Sequence, residues 1–244
     1  MSGHNKWSSI KNKKGKEDAK RGKIFTKLAR YITVAAREGG SDPEYNPTLK
    51  AAIDKAKAEN MPNDNINRAI KKATGSEASD NFERVIYEGY AVGGVAVIVE
   101  CLTDNKNRTA SNIRHLFDKF GGNLGTDGSV MYMFNRKGLL ITKDKSADFD
   151  LLMMSALEAG CEDVTEEDDH YEIITSVENF NDVRNALLKD YDFEEADISY
   201  IADNYISLDE DKISTMVKLL ENLEDDDDVQ EVYSNWDGEG IDDK

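Results

Sequence analysis

The first third of the chain has apolar residues at helical spacing. From residue 16 onwards Ile24, Leu28 and Ile32 recur on one helical face, and a glycine pair at residues 39–40 ends the pattern. Asn46-Pro47 is a typical helix start, and a break at residues 60–62 separates that helix from a further one over residues 63–73. The pattern predicts a small helical bundle over residues 1–75.

Beyond a polar linker at residues 75–81, short runs rich in β-branched residues replace the helical pattern. The runs at 84–90 and 95–102 flank Val92-Gly93-Gly94, which predicts a β-hairpin. A helix containing Ile113 and Phe117 follows, then a glycine-rich loop, then an expected strand over residues 129–134. This order is β-β-α-β, and it marks the start of a second domain.

From Gly138 the predicted order is β-α-β-β-α-β, which is ferredoxin-like. A helix opened by Asp209 and a weak strand at residues 229–233 follow, and they would complete the sheet of the second domain. The predicted fold class is therefore α+β, with a basic helical bundle and two ferredoxin-like α/β domains. The expected domains are residues 1–75, residues 76–136 plus 208–244, and an inserted domain at residues 137–207.

The net charge of −18 conceals an electrostatic asymmetry between these parts. Residues 1–75 hold 17 Lys and Arg against 8 Asp and Glu, a balance of +9. Residues 76–244 hold 14 against 41, a balance of −27. A locally basic segment is suited to neutralising the phosphates of a nucleic acid, whereas the acidic remainder would repel them.

The candidate nucleic-acid-binding residues lie in the basic arm, the first helix and the third helix. Within residues 1–30 the cations meet only two acidic residues, and Trp7 could stack on a base or anchor the arm to the bundle. A solvated face with internal ion pairs is the alternative. Helices 47–59 and 63–73 resemble a helix-turn-helix only weakly, and ordinary hairpin packing is favoured. The set is Lys6, Trp7, Lys11, Lys13, Lys14, Lys20, Arg21, Lys23, Lys27, Arg30, Arg68, Lys71 and Lys72.

No pattern typical of catalysis or of metal binding is found. The three histidines, His4, His115 and His170, form no triad or HExxH motif, and Cys101 and Cys161 are expected in the core. The glycine-rich loop at 121–129 runs from helix into strand and lacks the Lys-Ser/Thr ending of a P-loop, so it predicts a helix cap and turn. The acidic runs at 166–169 and 225–228 are expected to be solvated surface. We expect no enzymatic activity, no cofactor and no metal.

The N-terminus has no apolar signal region, and no stretch is long and apolar enough for a membrane span. Together with two cysteines that lack CxxC spacing, this predicts a cytoplasmic protein without membrane partners. Neither the oligomeric state nor the target sequence follows from these patterns.

Three long segments carry a family resemblance: SGHNKWSSIKNKKGKEDAKRGKIFTKLAR, NPTLKAAIDKAKAENMPNDNINRAIKKATG and YEGYAVGGVAVIVECLTDNKNRTASNIRHLFDKFGGNLGTDGSVMYMF. Together they resemble the YebC/PmpR family, which is related to mitochondrial translational activators. The resemblance covers essentially the whole chain, with small departures at Asn5, Asn12 and the YAVGG hairpin. It implies three domains and a DNA-binding transcriptional regulator.

Three functions remain open on this basis. The first is regulation of transcription through DNA binding, which the resemblance implies. The second is a ribosome-associated translation factor that binds ribosomal RNA and relieves stalls, which tolerates an acidic half because proteins and RNA shape share the contact. The third is a protein-interaction scaffold that binds no nucleic acid.

Overall fold

The computed structural model describes residues 17–74, 82–167 and 169–240. These ranges hold seven α-helices and eight strands, and the mixed α+β class predicted from the sequence is confirmed. The helices are α1 (Glu17–Gly39), α2 (Pro47–Ala58), α3 (Asn63–Thr74), α4 (Lys106–Lys119), α5 (Phe149–Ala159), α6 (Phe180–Leu187) and α7 (Glu210–Asp225). The strands are β1 (Glu83–Tyr90), β2 (Ala96–Thr103), β3 (Asn123–Leu124), β4 (Phe134–Thr142), β5 (Asp163–Glu166), β6 (Tyr171–Thr175), β7 (Phe193–Ala202) and β8 (Val229–Ser234).

Helices α1, α2 and α3 form the helical domain, in which Ile32, Leu49 and Ala52 are fully buried. Asn46 caps α2 because its side-chain oxygen accepts from the Leu49 backbone N–H at 3.0 Å. Its amide nitrogen donates to the Ala35 and Gly40 carbonyls. One buried asparagine thus starts α2 and ties it to the end of α1, as the Asn46-Pro47 signal predicted.

The first sheet has the strand order β3-β1-β2-β8 and is antiparallel throughout. The predicted hairpin is confirmed, and its turn needs glycine because Gly93 and Gly94 both have positive φ. Helices α4 and α7 cover one face of this sheet and bury Phe117 and Met216 against β2. Since β8 pairs with β2, the chain returns to this sheet after completing the second one. In chain order the unit runs β-β-α-β-α-β. It therefore has four strands and two helices, as a ferredoxin-like domain has, but they are connected in a different order.

The second sheet has the order β5-β6-β4-β7, again antiparallel, with α5 and α6 on one face. This is the strand order of a ferredoxin-like unit, in agreement with the predicted β-α-β-β-α-β sequence. The other face of the first sheet packs on the ends of β4 and β7, where Ile98 belongs to the same apolar cluster as Phe134 and Tyr200. Both faces of β2 are therefore buried, which explains its apolar run from Ala96 to Val99.

The strand predicted over residues 129–134 was wrong. The third strand of the first sheet is instead the two-residue β3 inside the glycine-rich loop, which pairs with Gly89 and Tyr90. Residues Met131–Met133 form a short 3₁₀ turn, and β4 begins only at Phe134 and runs to Thr142 without a break. The backbone amides of Gly128, Val130 and Met131 donate to the Glu88 carboxylate rather than to a neighbouring strand. A side chain thus supplies the partners that a sheet ladder would have supplied.

Candidate nucleic-acid interface

Several of the predicted nucleic-acid-binding residues lie outside the described part of the chain. They are the arm residues Lys6, Trp7, Lys11, Lys13 and Lys14. Lys20 and Arg21 lie near the start of α1, but their side chains also fall outside the described part. The predicted roles of these seven residues therefore stay predictions.

The next three predicted cations on α1 contact the last turn of α7 and the acidic residues directly after it. Lys23 lies 3.0 Å from the Asp225 carboxylate, and Lys27 donates to the Glu224 carbonyl at 2.6 Å. Arg30 donates to the Asp227 carbonyl and to the Asp228 carboxylate, at 2.6 and 2.7 Å. In this conformation these cations join the helical domain to the first sheet's domain, so phosphates would have to compete with carboxylates for them.

Asp228 is the centre of this contact, and its side chain is only 5% exposed. Besides Arg30, it accepts from Arg108 at 2.8 Å and from the Thr109 hydroxyl at 2.8 Å. Burial alone would raise the pKa of the Asp228 carboxyl, but the hydrogen bonds from Arg108, Thr109 and Arg30 outweigh burial and lower that pKa. The acidic run at 225–228, expected to be solvated, is thus partly a structural contact between domains.

The predicted cations of α3 have a different environment. Arg68, Lys71 and Lys72 are all exposed, whereas Ile66 and Ala69 on the opposite side of the helix are buried in the bundle. Their spacing of three and four residues places the cations on one helical face. Because both α2 and α3 pack on α1, this face arises from ordinary packing of a helical bundle.

Lys55 of α2 joins all three parts of the structure, and sequence reasoning missed it. Its ammonium group lies 2.7 Å from Asp197 of β7 and 3.1 Å from Glu231 of β8. Attraction to Glu231, and then to Asp197, raises the pKa of the Lys55 ammonium group against the opposing effect of burial. No local pattern identifies this residue, since its partners are 142 and 176 positions away in the chain.

The glycine-rich loop between α4 and β4 is held by Glu88, a second residue that sequence reasoning missed. Burial would raise the pKa of the Glu88 carboxyl, but the three backbone N–H donors of Gly128, Val130 and Met131 together lower it. The predicted helix cap at the start of the loop is present, because Gly121 has positive φ and the Gly122 N–H donates to the Phe117 carbonyl.

Other titratable groups have structural partners. His170 lies between the Asp169 carboxylate, 2.6 Å from Nδ1, and the Glu172 carboxylate, 3.4 Å from Nε2. The Cys101 thiol is buried, and burial raises its pKa. Within residues 17–74, 82–167 and 169–240, no group of three His, Cys, Asp or Glu side chains is arranged to hold a metal ion. No helix in those same ranges is long and apolar enough to cross a membrane.

Comparison with known proteins shows which family this chain resembles. Residues 5–76 match the model of the TACO1/YebC protein N-terminal domain, and residues 82–236 match that of the TACO1/YebC second and third domain. A "probable transcriptional regulatory protein" of Finegoldia magna is 62% identical over 98% of this chain and 100% of its own length. One from Geobacter sulfurreducens is 55% identical over 97% of this chain and 96% of its own length.

A solved structure is also similar. The crystal structure of a conserved hypothetical protein from Aquifex aeolicus has a TM-score of 0.81 and 47% identity, and the match covers 90% of this chain and 91% of that chain. The resemblance noted in the sequence is thereby confirmed over nearly the whole chain. This chain belongs to the TACO1/YebC family.

Proposed function

We propose that this protein is a non-enzymatic regulator of gene expression that binds nucleic acid through its helical domain. The observation that carries the proposal is the exposed cationic face of α3, formed by Arg68, Lys71 and Lys72 in a segment whose balance is +9. Such a face supplies affinity for phosphates without reading bases. The names of relatives as probable transcriptional regulatory proteins support the same function.

The basic arm would add further cations to the contact. Lys6, Lys11, Lys13 and Lys14 precede α1 in the chain, and Trp7 adds an aromatic ring suited to stacking on an unpaired base. Duplex DNA is the ligand that the names of the relatives favour. Phosphates bound along α1 would come close to the carboxylates of residues 225–228, which limits the contact area available to a duplex.

That limit supports a second candidate, a factor that binds ribosomal RNA as part of a ribosome-bound assembly. Cations that lie close to acidic domains suit a ligand whose RNA contacts the cations while its proteins contact the acidic domains. In this alternative the helical domain contacts RNA, while the two sheets offer surfaces to proteins.

The test measures binding of a 20-base-pair DNA duplex and an RNA hairpin of equal phosphate number by fluorescence anisotropy. We expect Arg68→Glu/Lys71→Glu/Lys72→Glu and Lys11→Glu/Lys13→Glu/Lys14→Glu each to weaken binding at least about tenfold and to flatten its salt dependence. Lys50→Glu/Lys57→Glu, which changes exposed cations on α2, is the control and should have a smaller effect. Unchanged binding by both triple variants at low salt would leave only the scaffold function.

Ribosome co-sedimentation at physiological salt separates the two candidates. Recovery with ribosomes that is lost in the triple variants, without binding to the duplex, would assign a role in translation. Tight duplex binding without ribosome recovery would assign a role in transcription.

A further inference from the structure

Helix α5 of the second sheet's domain exposes an apolar face that no part of the described chain covers. Leu151, Met154 and Leu157 are 60%, 58% and 54% exposed, whereas Leu152 and Ala156 on the other side are fully buried against the sheet. Apolar side chains therefore lie on both the buried and the exposed side of α5, and a group of exposed apolar side chains is typical of a contact site. One side of α5 is therefore built for contact and has no partner within residues 17–74, 82–167 and 169–240.

The three exposed side chains form one surface because they are spaced three residues apart. At 100° per residue they span an arc of about 120° on the helix. Leu188, which follows α6, is also exposed, at 46%. Helices α5 and α6 are antiparallel, with Asn179 before α6 bonded to Gly160 after α5, so Leu188 lies toward the Leu151 end. We call Leu151, Met154 and Leu157 the α5 face.

The charge around the α5 face is strongly negative. Asp150 and Glu158 are exposed on the same helix and fall within or beside the same arc. Residues 137–207 hold 19 Asp and Glu against 5 Lys and Arg, a balance of −14. Two of those five cations, Lys137 and Lys145, are paired with Glu162 and Glu166 of the same domain.

This charge decides among possible occupants. Two copies of a domain with a balance of −14 would repel each other at such a contact, and phosphates of a nucleic acid would also be repelled. The occupant must cover the apolar side chains and must not be repelled by the carboxylates. A cationic segment with apolar side chains does both, since its leucines would pack on the α5 face and its lysines or arginines would pair with the carboxylates. Leucine and methionine on an acidic surface suit helices of this kind because methionine adapts its shape to the ligand.

We propose that the α5 face docks a basic amphipathic helix of a partner protein. The partner's apolar side chains, spaced three and four residues apart, pack on Leu151, Met154 and Leu157, and its flanking cations pair with Asp150 and Glu158. This contact lies in the second sheet's domain, whereas the proposed nucleic-acid contact lies in the helical domain, so the two can be tested with separate variants.

The test uses the full chain and a labelled 16-residue peptide with leucines at helical spacing and lysines elsewhere, followed by fluorescence anisotropy at physiological salt. A scrambled peptide of equal composition measures the purely electrostatic background. We expect the amphipathic peptide to bind at least about tenfold more tightly than the scrambled one. Leu151→Gln/Met154→Gln/Leu157→Gln should remove that difference, because glutamine keeps the helix propensity while removing the apolar contact.

Two further variants complete the design. Tyr45→Gln changes a side chain that is 85% exposed on the helical domain, and it should leave peptide binding unchanged. Asp150→Lys/Glu158→Lys should weaken the amphipathic peptide at least about fivefold. Thermal unfolding of each variant checks that the fold is retained, which we expect because the substituted side chains are exposed.

Several outcomes would overturn the proposal. Equal binding of the two peptides, or equal binding by the glutamine variant and the original chain, would show that only charge is recognised. A dimer in sedimentation analysis that the glutamine variant abolishes would assign the α5 face to a second copy. Tight peptide binding that appears only after residues 1–15 are deleted would assign it to this chain's own basic arm.

Discussion

Arg30 of the helical domain donates a hydrogen bond of 2.7 Å to Asp228, a buried carboxylate beside the first sheet. The pair joins a cation expected to bind phosphate to an acidic run expected to be solvated. The same electrostatic attraction that would draw a nucleic acid to the helical domain therefore also holds two domains of this chain together.

Removing the Asp228 carboxylate should destabilise the protein strongly. Asp228→Ala leaves Arg30, Arg108 and Thr109 without their shared acceptor, and we expect a loss of about 3 kcal/mol, as for a broken buried ion pair. Calorimetric unfolding measures the change. Lys23→Ala, which breaks the exposed pair with Asp225, is the control and should cost no more than about 0.5 kcal/mol. Equal effects of the two variants would show that Asp228 is not the centre of the contact.

Neutralising exposed carboxylates opposite α1 should raise nucleic-acid affinity if the proposed function is right. Asp225→Asn/Asp227→Asn removes two charges that lie near Lys23 and Arg30 while keeping Asp228. We expect about threefold to tenfold tighter binding of the DNA duplex or RNA hairpin at low salt, with a smaller gain at high salt. Asp163→Asn/Glu194→Gln on the second sheet serves as control. An identical gain in the control would indicate a net-charge effect alone.

Glu88 should determine the order of the glycine-rich loop. Glu88→Ala deprives the Gly128, Val130 and Met131 amides of their acceptor, and we expect a loss of about 2 to 4 kcal/mol with faster amide exchange in that loop. Because its pKa is lowered in the fold, the carboxyl stabilises the protein above its unfolded pKa of about 4.3. That contribution should be lost as pH falls through the folded value. A variant with unchanged exchange in residues 128–133 would contradict this role.

His170 should make stability depend on pH in the opposite direction. The hydrogen bond to Glu172, and the further one to Asp169, raise the pKa of the His170 imidazole against the effect of burial. Its contribution is fully present below the unfolded pKa of about 6.5 and is lost as pH rises through the raised folded value. Unfolding temperatures measured from pH 6 to 9 should show this decline, and His170→Gln should flatten it. A steeper decline in the variant would refute the assignment.

Lys55 should hold the three parts of the structure together. Lys55→Glu places a third carboxylate beside Asp197 and Glu231, so we expect a lower unfolding temperature and a larger radius of gyration in small-angle scattering. Lys57→Glu, at an exposed position two residues along α2, should change neither quantity by a comparable amount. An unchanged radius of gyration in the Lys55 variant would show that other contacts are enough to hold the three parts together.

Much of the local structure was readable because its causes are local. The Asn46-Pro47 cap, the Gly93-Gly94 turn and the strand at Tyr171–Thr175 each follow from residues within a few positions of one another. The predicted strand over 129–134 failed for the opposite reason. The backbone amides of Val130 and Met131 donate to Glu88, which lies more than 40 positions earlier in the chain. The local alternation of side chains gives no indication of that acceptor.

The candidate interface also has one part that follows from the sequence and one part that depends on the tertiary structure. The sequence alone determined that cations concentrate in the first 75 residues and carboxylates in the rest, because charge is a property of composition. Only the tertiary structure decided that Lys23, Lys27 and Arg30 contact residues 224–228 at the end of α7 and just after it, and that Arg68, Lys71 and Lys72 are exposed on one face of α3. Which charges meet depends on where α1 lies relative to the end of α7, and that arrangement joins residues nearly 200 positions apart.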